Sequence, residues 1–303
     1  MEFAWVYTGN QPIKLRSALK QRGVTSSLIK VAIFHGGQMT INHEPKWAID
    51  LVEPGDRFAI ELPPEVPNDH VPACQAPFEI AYEDRDFLVI NKAAGVATVP
   101  AHNVAVQDSL VNRVKYYYQK QGYENQVTHV ATRLDKDTSG LVVFPKHRFA
   151  HAVLDDQLKH HTVKKEYVAL VSGRITIAHG YIDAPIQRDP ESFVKRQVGL
   201  DGKAAVTEYW LTHATDQASI VKIRLHTGRT HQIRVHFSYL NHPLLGDVMY
   251  GGPAVMDRQA LHCQWLSFYS PFLGRQIELN APMPSDMKTA IEKIESINKR
   301  DAD

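Results

Sequence analysis

Residues 129–144 run His129, Val130, Ala131, Thr132, Arg133, Leu134, Asp135, Lys136, Asp137, Thr138, Ser139, Gly140, Leu141, Val142, Val143 and Phe144. As far as Gly140 the stretch is polar, rich in the Asp, Ser and Gly that bond to local backbone in turns. Its last four residues form an apolar run of strand length. Asp135 is therefore expected on a tight turn held by a buried strand, two residues after Arg133. A carboxylate in that position, beside a guanidinium, is expected to be ionised near neutral pH. Two plainer readings compete: an ordinary turn aspartate, and a calcium loop starting with Asp135, Asp137, Ser139 and Gly140. The calcium loop needs a Glu at its twelfth position, where this chain has Lys146, and no entering helix is evident.

A chain of 303 residues buries a large core and has room for a large domain and a small one. No apolar run approaches a membrane span, and the start, Met-Glu-Phe-Ala-Trp, lacks the pattern of a secretory signal. Cys74 and Cys263 are far apart and without metal spacing, so a cytoplasmic location is expected. A net charge of +1 speaks against a nucleic-acid binder, but its distribution speaks for one. Lys14, Arg16, Lys20, Arg22 and Lys30 share a stretch without an acid. So do Lys222, Arg224, Arg229 and Arg234, together with four histidines between Ala218 and Gly246. Local basic faces of this kind hold phosphates whatever the total charge.

Taken in order, residues 1–73 read as a small module. Apolar spacing predicts one helix over Leu15, Ala18 and Leu19 and another over Leu28, Val31 and Ala32, with Thr25 and its neighbours as a cap. Strands follow at 38–42 and 57–62 around a Pro54-Gly55-Asp56 turn. The layout resembles an S4-like RNA-binding module, which makes the five cations candidate RNA contacts; otherwise they are a solvated helix face. Prolines at 63, 64, 67, 72 and 77 predict a linker with few contacts. Beyond it, strands are expected at 87–90, 164–171, 203–213 and 219–227, and helices over 147–161 and after Thr230. Alternation of Val221, Ile223 and Leu225 with Lys222, Arg224 and His226 predicts one buried and one cationic strand face.

The nine residues Arg133 to Leu141 resemble the signature of the RluA-type pseudouridine synthases, and the similarity extends from Phe78 to about residue 290, so a catalytic domain is expected over 74–290 and a tail over 291–303. Asp135 matches the family's catalytic aspartate. Tyr167 matches the active-site tyrosine that stacks on the target base, although a strand tyrosine by itself reads as core. Thr227 to His236, Thr-Gly-Arg-Thr-His-Gln-Ile-Arg-Val-His, is similar to the second family motif. Within it Arg234 matches the partner of the aspartate, with Arg229 as second choice. Leu261 falls in a third recurring stretch and is expected to line the base pocket. The chain departs from the pattern at Thr132 and Ser270, each in place of His, and at Ala93, in place of Pro.

The resemblance implies an α+β fold: a mixed, largely antiparallel sheet with flanking helices. It also implies isomerisation of uridine to pseudouridine in ribosomal or transfer RNA, by a monomer. No metal, nucleotide or other cofactor is expected, since detaching and reattaching the base involves no net redox change or hydrolysis. Asp135 either attacks the sugar or abstracts a proton from it; the residues do not choose. The uridine must be flipped from its stack, with Arg133 placed to fill the gap or hold a flanking phosphate. Two rivals remain: an RNA-binding protein of this fold without catalysis, and a glycosidic hydrolase. The hydrolase needs a second carboxylic acid, and only Asp137 is near in sequence. Zinc on the histidines of 226–242 lacks a Cys/His cluster with finger spacing.

Overall fold

A computed structural model describes residues 1–100 and 108–300, with side chains described as far as residue 294. From the N-terminus run β1 (Glu2–Val6), β2 (Ile13–Lys14), α1 (Leu15–Gln21), α2 (Ser26–Phe34), β3 (Gln38–Ile41), β4 (Glu44–Pro45), β5 (Leu51–Val52) and β6 (Arg57–Glu61). They form a four-stranded sheet in the order β1-β6-β3-β4, with β2 and β5 paired separately. Leu15, Ala18 and Leu19 of α1 and Leu28, Ile29 and Ala32 of α2 are buried together, which is the 3.6-residue spacing at work. The Thr25 side chain accepts the Leu28 N–H at 3.3 Å and caps α2.

Next come β7 (Glu79–Glu83), β8 (Phe87–Lys92), α3 (Leu110–Gln121), β9 (Ser139–Pro145), α4 (Arg148–Lys159), β10 (Lys164–Ser172), β11 (His179–Asp183), β12 (Ile186–Arg188) and β13 (Arg196–Val198). Then follow β14 (Val206–Ala214), β15 (Ala218–Leu225), α5 (Gln232–Tyr239), a 3-10 turn (Val248–Tyr250), β16 (Leu261–Ser270), β17 (Arg275–Asn280) and α6 (Ser285–Arg300). Nine of these strands make one sheet, ordered β11-β14-β15-β10-β16-β9-β8-β7, with β17 on β16. Every pairing is antiparallel except β16 with β9, so the sheet is mixed and largely antiparallel as expected.

That one parallel contact sits beside the Asp135 turn. Ser139 and Gly140 pair with His262 and Cys263, and a Cβ on Gly140 would lie 2.3 Å from the Cys263 carbonyl oxygen. Its φ is +115°, so both space and backbone demand glycine here. All seven residues of β9 are buried, which is why the run from Leu141 to Phe144 reads apolar without alternation.

The stretch 63–77 is not the contact-poor linker that its prolines predict. Lys115 Nζ donates to the carbonyls of Asn68 and Val71, and Asn112 Nδ2 to that of Pro72. Glu65 accepts from His129 Nε2 and from the Arg148 N–H at the start of α4. The N-terminal unit is also packed on the rest of the chain: Phe3 meets Phe149 edge-on at 4.9 Å and Phe272 at 5.6 Å. Val153 of α4 belongs to the same apolar cluster. Proline fixes φ without preventing side chains elsewhere from reaching the carbonyls of the strap.

Candidate active site

Asp135 opens a turn closed by the Thr138 N–H on its carbonyl at 3.1 Å. Donors from three directions fix the backbone around it. Thr98 Oγ1 donates to the Leu134 carbonyl at 2.8 Å and accepts the Leu134 N–H at 3.1 Å. Lys92 Nζ, almost fully buried at the end of β8, donates to the carbonyls of Lys136, Val96 and Ala93 at 2.7–2.9 Å. Burial pushes the Lys92 ammonium down to about 7, while Asp137 and Asp135 oppose that. The three carbonyls each take a proton, which favours the charged form. Arg258 Nη1 reaches the Asp137 carbonyl at 3.2 Å and that of Leu261 at 3.3 Å, while its other nitrogens grip Asp286 of α6.

The Asp135 side chain faces a cavity of about 70 Å³ bounded by Arg133, Leu134, Thr138, Tyr167, Leu225, His231, Gln232, Ile233, Arg234 and Leu261. Larger clefts lie elsewhere, one of about 730 Å³ beside α1 and α4, but the converging charges are at this smaller one. Arg234 Nη1 donates to Asp135 Oδ2 at 3.3 Å. Its Nε and Nη2 donate to the two oxygens of Asp247 at 2.7 and 2.9 Å. Asp247 is 1% exposed and Arg234 6%, so the fork is aimed by a buried carboxylate before it meets Asp135. Burial alone would lower the Arg234 pKa, but Asp247 and Asp135 outweigh it and hold the value above its ordinary one. The guanidinium also lies 4.8 Å over the Tyr250 ring.

Tyr167 is 4% exposed and packs in the main core. Burial, then Cys263 and Asp135, keep its phenol protonated well past the usual range. Tyr167 is a core residue that also lines the cavity. Arg133 stands exposed at the cavity rim. Arg229 is elsewhere: it is exposed, and its Nε donates to the Ala204 carbonyl. Of the two arginines proposed to partner Asp135, the hydrogen bond comes from Arg234. Lys14, Arg16, Lys20, Arg22 and Lys30 belong to the N-terminal unit, and none lines this cavity; Lys20 and Arg22 line the larger cleft.

Sequence reasoning assigned no role to Asp247, His231, Tyr250, Lys92 or Arg258. Asp247 and Tyr250 fall in the stretch from Asn241 to Gly251 that continues the second motif, and that membership was the available signal. The histidines of 226–242 disperse: His236 bonds to Thr207 and the Ala184 carbonyl, and His242 to the Ser172 carbonyl. Among the described residues no group of three or more His, Cys, Asp or Glu gathers as a metal site. Two departures from the family pattern have local partners: Thr132 Oγ1 accepts the Val143 N–H, and Ser270 Oγ accepts the Leu273 N–H.

Comparison with known proteins shows the family. The model of the RNA pseudouridylate synthase family matches residues 86–239. The chain belongs to that family. It is an isomerase acting on RNA. The synthase is 41% identical over 271 residues to an uncharacterized RNA pseudouridine synthase of Bacillus subtilis (strain 168), YjbO, covering 89% of this chain and 95% of that one. It is 34% identical over 290 residues to the ribosomal large subunit pseudouridine synthase D of Zymomonas mobilis, covering 90% and 89%. The solved human RNA pseudouridylate synthase domain containing 1 superposes with a TM-score of 0.56 at 27% identity, covering 70% of this chain and 85% of that one. No helix among the described residues of the synthase is long and apolar enough to cross a membrane.

Proposed function

We propose that the synthase isomerises a uridine of ribosomal RNA to pseudouridine with Asp135 as its catalytic carboxylate. The observation that carries this is the shared fork of Arg234, held by buried Asp247 and bonded to Asp135 at a cavity that Tyr167 also lines. Asp135 acts on the ribose beside the glycosidic bond, and Arg234 orients it. Tyr167 stacks on the uracil, and the bound RNA together with the pocket walls keeps water from the freed base. Arg133, at the rim, occupies the gap left by the flipped nucleotide or meets the neighbouring phosphate. The ribosomal target is supported by the relatives named for the large ribosomal subunit.

Among the described residues Asp135 is the only carboxylate lining the cavity, and Asp247 is engaged by Arg234, which argues against a hydrolase needing two acids. We assign the N-terminal unit, residues 1–73, to RNA contact as an S4-like module. The exposure of Lys14, Arg16, Lys20 and Lys30 supports this. We assign residues 74–290 to the catalytic domain; the stretch expected as a tail from 291 instead continues α6 to Arg300, with Ile291 and Ile294 packed on the core, because their apolar spacing extends the buried face of that helix.

The test is Asp135→Asn, which keeps the shape and removes the charge. The variant is expected to bind RNA and yield no pseudouridine, and mapping of pseudouridines in a strain lacking the protein identifies the position. Pseudouridine formed by the variant overturns the assignment; free uracil released by the wild type overturns the isomerase reading.

A further inference from the structure

Asp135 has a second neighbour, and its backbone is strained. His231 caps the N-terminus of α5 with φ 57° and ψ 20°, the left-handed region that few residues with a side chain adopt. Its imidazole, 11% exposed, stands between two oxygens: Nδ1 is 2.8 Å from the Tyr250 hydroxyl and Nε2 is 3.9 Å from Asp135 Oδ2. The Tyr250 hydroxyl accepts the Arg196 backbone N–H at 3.0 Å. The hydroxyl has one proton of its own to place, and Nδ1 is the acceptor within reach of it among the described contacts. An imidazole that accepts at Nδ1 carries its proton at Nε2, so an N–H faces the carboxylate.

We propose that His231 is a positioning residue whose Nε2–H, set by the relay from Arg196 through Tyr250, orients Asp135 for the reaction. The inference rests on Asp135 being the catalytic group. Arg234 and His231 approach the same oxygen, Oδ2. Oδ1 is thereby left to face the ribose. At 3.9 Å the His231 approach is longer than a hydrogen bond, and the proposed role requires it to shorten when substrate fills the cavity. The relay needs the neutral imidazole, whose bare Nδ1 accepts from Tyr250; the imidazolium keeps Nε2–H but loses that bond. Burial favours it, Arg234 and Arg196 favour it, and Asp135 and Asp247 oppose it. Holding a histidine in a left-handed conformation has a physical reason if this is the only backbone that places Nε2 there.

Two measurements test this. In protein labelled with ¹⁵N-histidine, His231 is expected to show a bare Nδ1 and a protonated Nε2; the opposite tautomer overturns the proposal without reference to activity. In kinetics, His231→Ala is expected to lower kcat by about tenfold to a hundredfold, the worth of one hydrogen bond to a charged group, with KM for RNA unchanged. His231→Gln, which carries an N–H at similar reach, restores most of it. Tyr250→Phe moves the acid limb of the kcat profile to higher pH in the wild type, and has no such effect in the His231→Gln background, where no imidazole titrates. A Gln variant as slow as the Ala variant, or an equal shift in both backgrounds, overturns the relay. Asp135→Asn is run alongside: if it turns over, the reading of Asp135 falls; if it is inactive while the relay tests fail, only the role of His231 falls.

Discussion

At the scale of single residues, Arg234 and Arg229 differ by what each would leave behind. Removing Arg234 strands Asp247 in the core without its cation, and breaking a buried pair in that way costs roughly 3–5 kcal/mol. Arg229 is exposed and gives up one bond to a carbonyl that water then serves. Arg234→Met is therefore expected to abolish turnover and lower the melting temperature, while Arg229→Met changes neither by much. Equal losses in the two variants, read by turnover and thermal unfolding together, would move the partnership with Asp135 away from Arg234. The Asp135 motif itself was legible because its turn-forming residues and the apolar run beside it are local features. Asp247 was not, since its role depends on a guanidinium on another element, 13 positions away in sequence.

At the scale of elements, the Asp135 turn is held by what surrounds it. Arg258 links the Asp137 and Leu261 carbonyls to Asp286 on α6. Arg258→Met leaves the buried Leu261 carbonyl short of a donor, at roughly 1–3 kcal/mol, and frees the half-buried Asp137 carbonyl. It is expected to lower both stability and kcat while sparing KM for RNA; an unchanged kcat would mean that the turn stands without α6. On the far edge of the sheet, burial would raise Glu208, but donors from Tyr181, His226 and His179 outweigh it and bring the pKa down to about 2. A depressed carboxylate stabilises the fold fully above its ordinary 4.5, and that stability is lost as pH falls toward about 2. Glu208→Gln should therefore flatten the acid limb of a stability–pH curve in that window, and a curve of unchanged steepness counts against the network. Strands β10 and β15 were legible from apolar runs and alternation. The ten-residue β16 was passed over, because it changes neighbours along its length, meeting β9 and then β17, and so carries no single period.

At the scale of the molecule, the N-terminal unit is a packed part of the fold. Phe3 is 4% exposed and sits among Phe149, Phe272 and His147. Phe3→Ala is expected to destabilise the protein by about 3–5 kcal/mol, as for other large buried aromatics, and removal of residues 1–73 exposes the same surface on α4. A truncated protein as stable as the full chain in denaturant unfolding would show that the packing contributes little. The RNA role is tested without truncation, by replacing Lys14, Arg16, Lys20 and Lys30 with Gln, since all four side chains are exposed. Weaker RNA binding with a shallower dependence of log affinity on log salt is expected. An unchanged slope would leave those residues as a solvated helix face.

Local chemistry accounts for what the sequence determined by itself. The turn at Asp135, the strand after it, the two N-terminal helices with the Thr25 cap of the second, and the motif around Arg234 all depend on residues within a few positions of one another. Tertiary structure alone decided which guanidinium meets Asp135 and which carboxylate aims it. It also decided that Lys92 and Arg258 hold the turn from beneath, and that a proline-rich strap lies against α3 and α4. These arrangements join residues tens of positions apart, from Asp137 with Arg258 to Glu65 with Arg148. Nothing in local spacing encodes such pairs; they form because a buried charge or carbonyl must find a partner where the folded chain brings one within reach.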